Sequence, residues 1–181
     1  MTEPNTFPAF PKMPRLVSPC VITEKIDGTN GLVEVRPDGT VLAGSRSRYI
    51  PLEQDNFGFA AWVKANEAEL RDGLGEGCHY GEWWGAGIQR RYGMAGRHFS
   101  LFNAARWQEK RPSCCLVVPV LYEGPFSDLV VSGALWALAT AGSKAAPGFM
   151  KPEGVVIYHA AAKRYFKQTL DGDGHKGDSN G

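Results

Sequence analysis

The sequence has no excess of either charge. Its 20 basic and 19 acidic residues leave a formal net charge of +1 over 181 residues. Net charge therefore gives no case for a nucleic-acid protein, although a local basic face can sit inside a neutral total. Cysteine is scarce and limited to Cys20, Cys78, Cys114 and Cys115. None forms a C-x-x-C pair, and no histidine is spaced to complete a zinc site. Neighbouring Cys114 and Cys115 do not readily bridge to each other. All four read as reduced, mostly buried thiols, which fits an intracellular protein. Long apolar runs are missing too: Leu129 to Ala141 is the longest, includes Ser132 and Gly133, and is too short to span a bilayer. The Pro-rich start carries Glu3 and does not read as a signal peptide. There is no internal repeat.

The length suits one domain, and 43% hydrophobic residues with five tryptophans are enough for a core. Residues 1 to 16 read as an extended strap. Pro19 to Asp27 and Asn30 to Arg36 read as strands, and Asp38-Gly39 is a hairpin turn signal before a return strand over Thr40 to Ser45. Asp55 can cap one helix running to about Arg71, with Phe59, Trp62, Val63 and Leu70 on its buried face. Further strands are expected over Cys78 to Trp84, Phe99 to Trp107, Cys115 to Tyr122 (a central one), Glu153 to His159 and Tyr165 to Leu170. Ser127 can cap a helix through Thr140, and Ser143 to Met150 is a small-residue loop. Many antiparallel strands with two separated helices imply an α+β domain over 1–170. The Gly-, Asp- and Ser-rich tail, 171–181, is expected to be disordered.

The segment that draws attention is Glu24-Lys25-Ile26-Asp27-Gly28-Thr29-Asn30. If the strand runs to Asp27, Lys25 and Asp27 share one face. A lysine amine attacks only when deprotonated, and cations in a strand-end pocket would favour the free amine. An ordinary surface lysine before a turn is the bland alternative. Gly44-Ser45-Arg46-Ser47-Arg48 follows, where guanidinium forks could grip phosphate or simply solvate a hairpin end. Gly81-Glu82-Trp83-Trp84-Gly85-Ala86-Gly87-Ile88-Gln89-Arg90 offers a carboxylate for a ribose hydroxyl or an ion. In Phe99-Ser100-Leu101-Phe102-Asn103 one aromatic can stack on a purine while the other belongs to the core. Glu153 stands directly before a strongly apolar strand, where a charge needs a partner such as a metal ion or a lysine. On a last strand, Lys163, Tyr165 and Lys167 would share a face towards Lys25. No histidine is assigned to catalysis.

Taken in order, these segments resemble the covalent nucleotidyltransferases: ATP-dependent DNA ligases, RNA ligases and mRNA capping enzymes. The likeness is greatest to RNA ligases of the bacteriophage and kinetoplastid-editing type, and it spans about residues 20 to 170. The resemblance implies a ligase or capping-enzyme nucleotidyltransferase domain, ATP-grasp-like, of antiparallel sheets with flanking helices. It implies an ATP-dependent polynucleotide ligase working through a lysyl-AMP intermediate. Lys25 would attack the α-phosphate of ATP, Asp27 would sit near the ribose and the nucleophile, and Lys167 would stabilise phosphate charge. Arg46 would contact sugar and phosphate and Glu82 the ribose. Phe102 and Val156 would enclose the adenine. Glu24, Asn30 and Lys163 complete the nucleotide-binding set, with Lys163 standing in for the first lysine of a final K-x-K. Glu153 would support Mg²⁺ or Mn²⁺. The implied partners are nucleic-acid ends, RNA ahead of DNA, and the implied protein is a cytoplasmic monomer, of the kind phages encode, that touches no membrane. The chain stops shortly after the last motif, so no OB domain or helical C-terminal domain is expected. A DNA ligase, a transferase moving AMP or GMP to another acceptor, and a non-sealing nucleic-acid-binding module on the same fold are the alternatives.

Overall fold

The computed structural model describes residues 10–172. They form two sheets. The first has strand order β7-β1-β8-β9, from Val120–Pro125, Pro19–Lys25, Gly154–His159 and Arg164–Thr169. The second has order β3-β2-β4-β5-β6, from Val41–Gly44, Thr29–Val35, Gly77–Gly85, Arg97–Leu101 and Cys115–Val117. All pairings are antiparallel except β5 with β6.

Strand periodicity assigns the faces. In β1, Cys20, Ile22 and Glu24 are buried while Val21, Thr23 and Lys25 are half-buried. Cys20, Ile22, Val155 and Ile157 pack against Val131, Ala134 and Leu138 of the helix α4, Asp128–Ala141. Ser127 caps that helix by accepting from the Val130 N–H. Lys25 therefore points to the sheet face away from α4. In the second sheet, Val33, Val35, Trp83, Phe99 and Leu101 pack against Phe59, Val63 and Leu70. Asn30, Glu82 and Ser100, in register with one another, point the other way.

Several expectations need correction. The single helix to Arg71 is two, α1 over Phe59–Ala65 and α2 over Glu67–Leu74. Asp55 still caps, accepting from the Ala60 and Ala61 N–H groups. The strand expected over Phe99 to Trp107 stops at Leu101 and gives way to a one-turn helix, α3, Ala104–Trp107, capped by Asn103. The expected central strand is two edge strands, β6 and β7, in different sheets. Pro119 stands between them, and without an N–H it cannot continue a ladder. β1 ends at Lys25 rather than Asp27. Of the cysteines, Cys20 and Cys115 are buried, Cys114 is partly so, and Cys78 is exposed. Residues 1–9 of the strap and 173–181 of the tail lie outside the described residues.

The chain passes between the sheets twice. Ile26-Asp27-Gly28 carries it from β1 to β2, and Val118-Pro119 from β6 to β7. The passages touch: the Glu24 N–H donates to the Pro119 carbonyl at 2.9 Å, and Ile26 and Val118 share a buried cluster with Trp84 and Tyr92. Gly28 lies so close to β4 that a Cβ there would meet the Trp83 carbonyl at 2.4 Å. Only glycine allows that approach.

Candidate active site

The last residue of β1 is Lys25, paired in register with Gly154, the first residue of β8. That register sets Lys25 beside Glu153, and Lys25 Nζ donates to Glu153 Oε2 at 2.6 Å. Both side chains keep some exposure, 24% and 17%. The Glu153 charge thus has the lysine partner its position before an apolar strand requires. The group touching Lys25 is a carboxylate, not the cations expected from the sequence.

Glu82 enters from the second sheet. Its Oε1 accepts from the Gly28 N–H at 3.0 Å, and its Oε2 lies 3.5 Å from Asn30 Nδ2. Burial pushes the Glu82 carboxyl up to about 7. Lys25 and the Gly28 N–H oppose that rise, and Glu153 and Asp27 add to it. Lys25, Glu153, Asp27 and Glu82 therefore form one electrostatic cluster where the two sheets meet.

Asp27 is fixed by two residues that carry no catalytic argument in the sequence. Its N–H donates to the Tyr92 hydroxyl at 2.8 Å, and its carboxylate accepts from Arg90 Nε at 3.1 Å. Arg90 also donates to the Lys151 carbonyl at 3.2 Å and to Asp171 at 2.6 Å. Asp171, the first residue of the expected disordered tail, is thereby tied to the site. Arg90 stood in view within the G-I-Q-R-R-Y-G loop, but nothing local in the sequence marks Tyr92 or Asp171 as its neighbours.

Register places the remaining candidates. Val156 and Lys167 are paired with each other and lie on the Lys25 face of the first sheet. Phe102 follows β5 opposite Tyr80, on the Glu82 face of the second sheet, and is 38% exposed. Phe99 is fully buried and is the core member of that pair. Arg46 is exposed in the turn after β3, whose backbone Ser45 organises through its hydroxyl. Two candidates do not reach the cluster. Lys163 sits in the turn between β8 and β9, beyond the His159–Arg164 pair and so at the opposite end of those strands from Lys25. It cannot stand in for a lysine facing Lys25. Glu24 alternates to the other face of β1, where Ser143 Oγ and the Lys144 and Ala145 N–H groups donate to its carboxylate at 2.5, 2.8 and 3.0 Å. With those bonds made and 1% exposure, it anchors a loop rather than presenting a nucleotide ligand.

Among the described residues no three His, Cys, Asp or Glu side chains cluster as a metal cage. Glu153, which keeps some exposure, still suits a hard divalent ion of the Mg²⁺ kind, which takes one or two carboxylates and fills its shell with phosphate oxygens and water. A 560 Å³ cavity on the α4 side of the first sheet is lined by Leu16, Phe126, Val131, Ile157, Phe166 and Lys167.

Two sheets meeting at a lysine and three carboxylates, with flanking helices, give the α+β fold of an RNA ligase domain, as the comparisons show. A family model for RNA ligase matches residues 18–169, and the chain belongs to the RNA ligase family. Among solved structures, a ligand-free mutant of Naegleria gruberi RNA ligase is similar with a TM-score of 0.65 and 19% identity, over 85% of this chain and 50% of that one. Another mutant of that ligase, solved with AMP and Mn, gives 0.66 and 18%, over 92% and 57%. A third, with ATP and Mn, gives 0.63 and 19%, over 85% and 49%. The chain spans about half the length of these relatives, and the likeness is one of fold. Comparison with curated proteins gives no match. Among the described residues no helix is long and apolar enough to cross a membrane.

Proposed function

We propose that this chain is the adenylyltransferase unit of an ATP-dependent RNA ligase. The observation that carries the reading is the 2.6 Å pair between Lys25 Nζ and Glu153 Oε2 at the join of the two sheets. Lys25 must lose a proton before its lone pair can attack, and Glu153 is the acceptor already in contact. Nζ then bonds to the α-phosphorus of ATP as the bond to pyrophosphate breaks, leaving AMP on the lysine as a phosphoramidate. Glu82 accepts from the ribose, Phe102 and Val156 flank the adenine, and Arg46 and Lys167 meet the phosphates. A divalent ion, Mg²⁺ or Mn²⁺, would offset phosphate charge, held by the Glu153 oxygen that Lys25 does not contact. AMP next passes to a 5′-phosphate, and a neighbouring 3′-hydroxyl displaces it to form the phosphodiester. RNA ends are the preferred substrates, in keeping with the family.

Incubation with α-labelled ATP and Mg²⁺ tests the first step. Label is expected on the wild type and not on Lys25→Ala; a wild type that stays unlabelled sinks the reading. Label that never moves to a 5′-phosphorylated RNA would leave a self-adenylylating protein without strand transfer, and would overturn the ligase assignment.

A further inference from the structure

The Arg90 guanidinium is bonded on three sides. Nε donates to Asp27, Nη1 to the Lys151 carbonyl and Nη2 to Asp171. Asp27 stands two residues after Lys25, and Lys151 two residues before Glu153. The guanidinium therefore ties together the two chain segments that lead away from Lys25 and into Glu153. Its inner and outer partners differ. Asp27 is 27% exposed and is also fixed through its backbone to Tyr92, whereas Asp171 is 73% exposed.

The loop holding Arg90 is built for this placement. Gln89, Arg91 and Tyr92 all have positive φ, of 41°, 61° and 50°. Non-glycine residues persist in that region only where their surroundings enforce it. The enforcement here is Tyr92, which is 2% exposed, with its ring 5.2 Å from Trp84 and 4.6 Å from Phe149. Such strain holds the arginine fixed, with its outer edge met by a largely exposed carboxylate.

We propose that the outer edge of Arg90 is a phosphate-binding subsite, which the Asp171 carboxylate caps in this structure and vacates for a phosphate. A guanidinium grips carboxylate and phosphate with the same fork of donors. An exposed ion pair such as the one with Asp171 is weak and yields readily. The inner bond to Asp27 stays, so the bound phosphate is held at a set position relative to Lys25. This rests on the ligase reading. Two phosphates have the required chemistry, the triphosphate of ATP and the 5′-phosphate of the strand.

The test is the sign of the effect of Asp171→Asn. Removing a competitor is expected to lower half-saturation about 3-fold, the scale of a surface ion pair. The ATP dependence of self-labelling and the dependence of AMP transfer on a 5′-phosphorylated RNA oligonucleotide are measured separately. Whichever falls identifies the phosphate. Arg90→Ala is expected to raise that same half-saturation at least 10-fold, and Arg90→Lys, which lacks the fork, is not expected to restore it. If Asp171→Asn weakens both substrates, as a structural tie would, or changes neither, the subsite is refuted. If the wild type takes no label at all, the ligase reading falls first, and inorganic pyrophosphate becomes the probe. Greater thermal stabilisation of Asp171→Asn than of wild type by pyrophosphate would still support the subsite, and equal stabilisation would overturn it.

Discussion

At the scale of the residue, Glu82 is the most informative side chain. Its folded pKa is about 7, above the ordinary 4.5, because burial disfavours the charged form. Below the ordinary value the group is neutral folded and unfolded, and its contribution to stability is fully present. As pH rises through about 7 the folded protein must ionise a buried carboxyl, and that stability is lost. Glu82→Gln is expected to remove this pH dependence. Its stability relative to wild type should improve between pH 5 and 8 by up to about 3 kcal/mol. Denaturant midpoints across that range check it, and parallel curves for the two proteins would refute it. Glu153 makes a different prediction. Without its carboxylate Lys25 has lost the proton acceptor in contact, so Glu153→Gln should label about 100-fold more slowly near pH 7. It should also recover partly as pH rises and solvent takes over that role. Undiminished labelling at pH 7 would remove Glu153 from the proton transfer. The sequence singled out Lys25, Glu82 and Glu153 as candidates through the order of the segments that hold them, and the fold brings the three into one cluster. The sequence could not carry which groups touch, so Arg90, Tyr92 and Asp171 emerge only from the fold.

At the scale of the element, β1 shows what alternation does with two adjacent charges. Lys25 faces the cluster, and Glu24, one residue earlier, turns back to hold the loop after α4. Glu24→Ala would strip three donors of their partner, each worth about 1–3 kcal/mol when left buried and unpaired. A loss of at least about 3 kcal/mol in unfolding free energy is expected, read from urea melts. A change below about 1 kcal/mol would mean that the loop finds other acceptors. Most elements were legible because their apolar spacing is strong, as in β8 and α4. The failures have local causes. Apolar residues run on through Phe59, Trp62, Val63 and Leu70, yet the Asn66 side chain donates to the Trp62 carbonyl at 2.8 Å and ends α1 there. The run from Cys115 to Tyr122 is uniformly β-rich, and only Pro119 hints that it serves two sheets.

At the scale of the whole molecule, a nucleotide would touch both sheets at once, since Glu82 and Phe102 belong to one and Lys25 and Val156 to the other. Binding should therefore stabilise the fold as a unit. At 100 times its dissociation constant, ATP should add about 2.7 kcal/mol, or roughly 5–10 °C in Tm for a chain of this size. Thermal melts of Lys25→Ala with ATP would separate binding from covalent labelling, and an unmoved Tm would count against a cleft that spans the sheets. The order of the motifs, scattered over some 150 residues, made the family legible. The two passages of chain between the sheets have a mechanical meaning. They lie against each other, joined by the bond from Glu24 to Pro119 and the cluster around Ile26 and Val118. Two plates fastened along one line resist sliding past each other, so any relative motion of the sheets would be a hinge rotation rather than a shear. Lys25 is the residue next to that hinge line. Such a rotation would move each group in proportion to its distance from that line, so the reacting nitrogen, close to it, would keep its place.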